Sequence, residues 1–266
     1  MNDAIQLTRQ ENEMAVLTFN RPEALNALTL AAMEGFQQAV YSLVDDVSLR
    51  AVIITGAGSK AFCSGGDLVE LSHHETEEGA KHFIGLMSDA LLHLERLPVP
   101  VIAAINGFAL GGGSEISLAC DMRIVDADVK MGMVQINNGL TPGWGAGQRL
   151  LRIVGYSQAM ELLLKGTILR VDDLVALHLV NEVAPAGKAF ERARQFADEI
   201  ANRPPQVVRG IKTLLQAGMT HSYEEAHKIE QDLFPPLWVD DPHIQAVRRF
   251  LKRQEEKRRT SSKGDS

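Results

Sequence analysis

The chain has 266 residues, enough to bury a substantial core as one large domain or two ordinary ones. With 45% hydrophobic and 23% charged residues and a formal net charge of −7, it has the make-up of a soluble globular protein; nothing in it calls for nucleic acid or a membrane surface. The longest apolar stretch, Pro98 to Leu110, is interrupted by Asn106 and Gly107 and is too short to span a bilayer, and the polar start, Met1 to Glu13, does not read as a secretory signal. Cys63 and Cys120 form neither a disulfide framework nor a metal-ligand pair, which suits a reducing cytoplasm. An acidic total does not exclude an anionic ligand, since binding depends on the local field.

In chain order, Met14 to Phe19 reads as a strand, and Leu30, Met33, Phe36, Val40 and Leu43 then recur at helical spacing. Ala51 to Thr55 and Val101 to Ile105 are buried-strand runs, each ending at a glycine turn that leads towards a second glycine cluster. In open α/β proteins ligands gather at the carboxyl ends of strands, so Cys63-Ser64-Gly65-Gly66-Asp67 and Gly111-Gly112-Gly113 are the candidate positions. Gly139 to Gly147 reads as an irregular turn into a helix carrying Arg149 and Leu150. Helical periods follow near Ser157 to Leu164, Ala189 to Ala201, Gln206 to Gln216, Ser222 to Leu233 and Pro242 to Gln254. Ser222 with Glu225 predicts a capping box, and Asp241 before Pro242 predicts an N-cap with proline at the first helical position. The polar, basic stretch Lys252 to Ser266 is expected to fray.

Ile105 to Asp121 is the most informative segment. Its three consecutive glycines suit a helix interior poorly, at about 1 kcal/mol each relative to alanine, but they suit a helix N-terminus. Such an end leaves N–H groups unpaired and partly positive, so the backbone at Gly112 can donate to an oxyanion with no side chain in the way. Glu115, three residues on, shares a helix face with Gly112 and brings a carboxylate to the same place. The segment Ala61 to Leu68 offers a second exposed N–H at Gly66. Two donors converging on one oxygen are what a thioester enolate requires.

The blocks Asn20-Arg21-Pro22-Glu23-Ala24-Leu25-Asn26-Ala27-Leu28, Phe62-Cys63-Ser64-Gly65-Gly66-Asp67-Leu68, the glycine-glutamate segment, and Gly139-Leu140-Thr141-Pro142-Gly143-Trp144-Gly145 with Gln148-Arg149-Leu150 resemble the enoyl-CoA hydratase/isomerase (crotonase) family in order and spacing. The resemblance covers nearly the whole chain. It implies an α/β spiral of ββα units over residues 1–200, a helical C-terminal trimerisation region over 201–255 and a polar tail over 256–266, assembled as a homotrimer or hexamer. It also implies an acyl-CoA thioester as substrate, with no separate cofactor and no metal. By motif, Gly66 and Gly112 are the expected oxyanion donors, Glu115 one of two catalytic acid/base positions, and Ala24, Ser64, Asp67, Leu68, Pro142 and Trp144 the expected substrate contacts.

The second acid/base position falls on Gln135. Glutamine forms hydrogen bonds but exchanges no proton near neutral pH, which counts against efficient syn-hydration. Trp144, together with Gln231-Asp232-Leu233, Leu237-Trp238 and Pro204-Pro205-Gln206-Val207-Val208-Arg209, resembles the branch that decarboxylates methylmalonyl- or ethylmalonyl-CoA. Decarboxylation of a short alkylmalonyl-CoA is therefore the first expectation, enoyl-CoA hydration or isomerisation the alternative, and a catalytically silent acyl-CoA-binding protein the reading from another class. His73-His74 lacks the spacing of a helical two-histidine metal site. Cys63 has no base paired with it by any motif, and Gly112 to Ile116 is not a nucleophile elbow.

Overall fold

The computed structural model describes residues 3–264, which form two compact units divided after Asn202. The first unit opens with β1 (Ile5–Arg9), β2 (Met14–Phe19) and α1 (Leu30–Val44). It continues with β3 (Ala51–Gly56), β4 (Ala61–Cys63), α2 (Leu68–Leu71) and α3 (Glu77–Glu95). Next come β5 (Val101–Ile105), β6 (Phe108–Leu110), α4 (Gly112–Ala119), β7 (Met122–Asp126) and β8 (Lys130–Gly132). The unit closes with α5 (Ala146–Val154), α6 (Tyr156–Lys165), β9 (Leu169–Arg170), α7 (Val171–Ala176), β10 (Glu182–Ala184) and α8 (Ala189–Ala201).

One sheet has the order β1-β2-β3-β5-β7-β10 and a second the order β4-β6-β8-β9. The pairs β3–β4, β5–β6 and β7–β8 each give their first strand to the larger sheet and their second to the smaller. Helices then return the chain to start the next turn. This is the α/β spiral of ββα units that the sequence predicts. In the larger sheet pairing is parallel from β2 to β10, with β1 antiparallel at the edge; in the smaller sheet β9 pairs antiparallel with β8.

Both faces of the larger sheet are covered, which explains why β3 and β5 read as continuous apolar runs. Val52 and Ile54 of β3, with Val101, Ala103 and Ile105 of β5, face a core shared with Phe36 and Val40 of α1 and Met87 and Leu91 of α3. Ala51, Ile53, Ile102 and Ala104 face the other way, against Ala193 and Ala197 of α8. A fully buried isoleucine or phenylalanine contributes about 1.5–3 kcal/mol, and alternation commits every strand residue to one side.

The second unit comprises α9 (Pro205–Thr220), α10 (Tyr223–Trp238) and α11 (Asp241–Gly264). The Ser222–Glu225 capping box forms as predicted. Three expectations need correction. Asp240, not Asp241, caps α11: its carbonyl accepts from Ile244 at 3.1 Å and its Oδ1 from Asp241 N–H at 2.9 Å. Helix α10 runs past Leu233 through Pro235 and Pro236 to Trp238. The stretch from Lys252, expected to fray, is helical to Gly264, with Asp265 and Ser266 outside the described residues. Among the described residues, no helix is long and apolar enough to cross a membrane.

Candidate functional site

The two glycine clusters are pressed against one another at the carboxyl ends of β4 and β6. A Cβ on Gly113 would lie 1.8 Å from the Cys63 carbonyl oxygen, and a Cβ on Gly65, whose φ is +97°, would lie 2.9 Å from the Gly112 nitrogen. Only glycine allows this approach.

Most backbone donors of the first loop are engaged, whereas the open start of α4 leaves Gly112, Gly113 and Ser114 N–H without acceptors among the described residues; Gly113 and Ser114 are buried and Gly112 is half-buried. Ser64 N–H donates to the Leu25 carbonyl at 3.1 Å, Gly65 N–H to the Cys63 sulfur at 3.4 Å, and Asp67 N–H to the Leu28 carbonyl at 2.8 Å. Gly66 N–H, between them, has no acceptor among the described residues. In the other loop Gly111 N–H donates to Gly132 at 2.9 Å, and Glu115 N–H closes the first turn of α4 on Gly111 at 3.1 Å. Gly112 N–H opens that helix with no acceptor among the described residues, and no side chain caps the helix. Gly66 and Gly112 are both half-buried, so their open amides can be reached by a ligand, and two such amides in adjoining loops form a site suited to an anion.

Glu115 lies in the first turn of α4 and is only 3% exposed. Its Oε2 accepts from Trp144 N–H at 2.8 Å and Ala146 N–H at 3.1 Å; its Oε1 accepts from Gln135 Nε2 at 2.8 Å and Gly143 N–H at 3.3 Å. Burial pushes the carboxyl above its ordinary value, and these four donors pull the other way without cancelling it. The turn supplying three of them is held from behind. Arg149 Nη1 donates to the Trp144 carbonyl at 2.6 Å, and its Nη2 pairs with Glu95 at 2.9 Å. Gln135 begins a short 3-10 helix, Gln135–Asn138, and its Oε1 is buried without a hydrogen-bond partner.

The Trp144 indole packs on Gly112: a Cβ there would meet Cζ3 at 2.1 Å. Gly112, Glu115, Gln135 and Trp144 are thus brought together, and Gly66 joins them through the loop contact. Pro142 is half-buried in the turn just before the donors to Glu115.

Ala24 ends a 3-10 turn whose following residue, Leu25, receives the Ser64 N–H, so Ala24 and Ser64 adjoin. Leu68 is 61% exposed beside them at the start of α2. Asp67 is already engaged: it pairs with Arg21 at 2.9 Å and caps α2 through Glu70 N–H at 3.4 Å. Its carboxylate therefore fastens the loop, leaving main chain to face a ligand. The Arg21 hydrogen bond holds the Asp67 carboxyl below its usual value. A lowered folded-state pKa gives stability that is present above the unfolded value of about 3.9 and lost as pH falls through the folded one. Asp67→Asn is therefore expected to lower Tm at neutral pH, with the gap to the unmodified protein closing in acid. Thermal melts across a pH series would show it; a gap independent of pH would refute the ion pair's part.

Cys63 is buried, and desolvation pushes its thiol up to about 12, which rules out a thiolate nucleophile near neutral pH. His73 is exposed and bonds the Glu70 carbonyl through Nδ1 at 3.0 Å. Among the described residues no group of His, Cys, Asp and Glu side chains could hold a metal ion.

Sequence reasoning missed two structural supports. Asn26 is 1% exposed; it donates to the carbonyls of Ala57 and Ala61 and accepts from Arg21 N–H, tying the first loop to the ends of β3 and β4. The other is the Arg149–Glu95 pair, whose members are 54 residues apart. An asparagine repeated within the Asn20–Leu28 block was a usable signal for the first; nothing local marked the second.

Comparison with known proteins identifies the family and the fold. The Enoyl-CoA hydratase/isomerase family profile matches residues 9–260. The short-chain-enoyl-CoA hydratase of Clostridium acetobutylicum is 34% identical over 248 residues, covering 93% of this chain and 95% of that protein. The ethylmalonyl-CoA decarboxylase of Mus musculus is 32% identical over 249 residues, 92% of this chain and 76% of that one. The crystal structure of an enoyl-CoA hydratase from Bacillus anthracis superimposes with a TM-score of 0.88 at 32% identity, over 94% of this chain and 96% of that chain. The chain belongs to the enoyl-CoA hydratase/isomerase family and is a crotonase-superfamily acyl-CoA enzyme.

Proposed function

We propose that the protein adds water across the double bond of a short 2-enoyl-CoA, with the Gly66 and Gly112 amides receiving the enolate oxygen and Glu115 as the only proton carrier. The observation that carries this reading is a single buried carboxylate, raised in pKa, in the first turn of the helix whose open end is Gly112. Ionised Glu115 takes a proton from water as the water oxygen bonds C3. The C2=C3 electron pair moves towards the thioester carbonyl, whose oxygen gains charge at the two amides. Glu115 then returns the proton to C2, and the carbonyl re-forms. A carboxyl pKa above the usual glutamate value, about 4.3, suits a group that both takes and gives a proton. The rate then falls as pH drops through that raised pKa, because the first step needs the ionised form. The names of the relatives that match over most of the chain support hydration more than the decarboxylation first expected from sequence.

Decarboxylation remains the second reading, favoured by the amide at Gln135 and the indole of Trp144. There the C2–carboxylate bond breaks, its electron pair passes to the thioester oxygen, carbon dioxide leaves, and C2 is later protonated. Against it, an ionised Glu115 repels a malonyl carboxylate.

Incubation with crotonyl-CoA, a 3-enoyl-CoA and methyl- and ethylmalonyl-CoA, followed by mass spectrometry, separates these reactions. Mass gain by water on crotonyl-CoA is expected. Loss of carbon dioxide from a malonyl thioester without hydration would replace the first reading with the second; double-bond migration alone would make the protein an isomerase; binding without turnover would leave a silent acyl-CoA binder.

Because the indole covers Gly112, it limits the length of acyl chain beside the reacting carbon. Trp144→Ala is expected to raise kcat/KM for a longer enoyl-CoA relative to crotonyl-CoA by about 10-fold or more, the value of one or two methylenes in an apolar pocket. Steady-state kinetics with thioesters of increasing length measures it, and an unchanged preference would remove Trp144 from the acyl pocket.

A further inference from the structure

A carboxylate has about four lone-pair positions, and in Glu115 every one faces an N–H donor. None of these donors accepts a hydrogen bond in return, so protonating Glu115 places a hydrogen against an N–H unless one donor leaves. Three donors are main-chain amides of one turn, fixed by the Arg149–Glu95 pair and the start of α5. The fourth is the side-chain amide of Gln135, which rotates about its last torsion without moving the backbone. Its other end, Oε1, is buried and unpartnered. The two ends of an amide have nearly the same size, so the turn needs little new space.

We propose that Gln135 is a proton-coupled positioning residue: its amide donates to ionised Glu115 through Nε2 and rotates to accept the acid O–H through Oε1 when Glu115 is protonated. The proton therefore resides on Glu115 Oε1, because both donors on Oε2 are main-chain amides and the other donor on Oε1, Gly143 N–H, is the longest of the four. An ionised glutamate at position 135 could not donate to ionised Glu115, and would repel it. A glutamine there gives one carboxylate two well-solvated states in a site nearly closed to water. Of the other titratable and charged groups on the elements packed around α4, Arg149 on α5 pairs with Glu95 on α3, the Cys63 thiol is buried at the end of β4, and Arg123 on β7 donates to the Ser117 and Cys120 carbonyls at the far end of α4; Arg152 on α5 and Glu77, Glu78, Lys81, His82, Asp89 and His93 on α3 are exposed. The significance of the rotation for turnover rests on the proposed proton-carrying role of Glu115, whereas the rotation itself does not.

The test is isotope-edited infrared difference spectroscopy between acid and alkaline buffers on the intact protein, with side-chain 13C-labelled glutamine and Gln135→Met as the blank. A carboxylic acid band from Glu115, assigned by its loss in Glu115→Gln, is expected to rise in acid, together with a shift of the Gln135 amide carbonyl band at the same midpoint. An amide band that stays still while Glu115 titrates overturns the rotation, as does a Glu115 that stays ionised throughout. Gln135→Met is also expected to lower kcat about 10-fold or more with little change in KM, from loss of a hydrogen bond to a charged group, and to displace the acid limb of the pH profile. If the infrared shift appears in a protein with no turnover, the proposed reaction fails and the rotation stands.

Discussion

Gly112→Ala is expected to reduce kcat/KM by at least about 100-fold, the usual consequence of losing one oxyanion donor. The added methyl would lie 2.1 Å from Cζ3 of Trp144, so either the indole or the first turn of α4 must shift. The indole is 5% exposed and its own backbone N–H is bonded to Glu115, so it has little freedom to yield. Alanine keeps the N–H, which makes the cause testable: the double variant Gly112→Ala with Trp144→Ala removes the collision and should recover much of the lost rate. A single variant with unaltered kinetics would show that the added methyl is absorbed without displacing the Gly112 amide, against the collision argued here. A double variant no better than the single one would show that glycine is needed there for substrate approach, not for the indole.

The second large effect is expected at Glu115. Glu115→Gln should lower kcat by about 10²–10⁴-fold, the usual contribution of a positioned proton carrier. It should also lower Tm, because a glutamine turns an NH2 towards two N–H donors, either those of Trp144 and Ala146 or those of Gly143 and Gln135. Leaving buried donors unsatisfied costs about 1–3 kcal/mol each, a shift of several degrees in a domain this size. Measuring melting and single-turnover rates on the same sample separates the two losses. A variant that melts early but hydrates crotonyl-CoA at full rate would make Glu115 a brace for the 143–146 turn and nothing more. Retained decarboxylation of a malonyl thioester with hydration abolished would assign that second reaction to the same amides without the carboxylate.

The strands and helices that bury apolar residues were readable from the chain because their patterns are long enough to register: β2, β3, β5, α1 and α8 lie where apolar runs and helical spacing place them. The second sheet was not readable. Its strands β4, β6, β8 and β9 are two or three residues long, below the length at which alternation can be recognised, and they form by pairing across turns of the spiral. Asp240 and Asp241 differ too little in local sequence for capping to be assigned to the right one. At the site, Gly66, Gly112 and Glu115 stood out because two glycine clusters and a following glutamate stand in the order and spacing of the family's motifs. The partners of Glu115 did not, since its main-chain donors lie 28–31 residues away and act through N–H groups that carry no sequence signature. The engagement of Asp67 with Arg21 was likewise invisible, being a contact 46 residues apart.

With the Gly113 backbone lodged against the Cys63 carbonyl, the two donor loops form a single rigid wedge that tolerates no atom larger than hydrogen at that junction. The two loops are therefore held to one spacing, and no residue but glycine fits at 65 or 113. On the proposed reading, change towards a different acyl group falls to the side chains around the junction, such as Gln135 and Trp144, and not to the glycines within it.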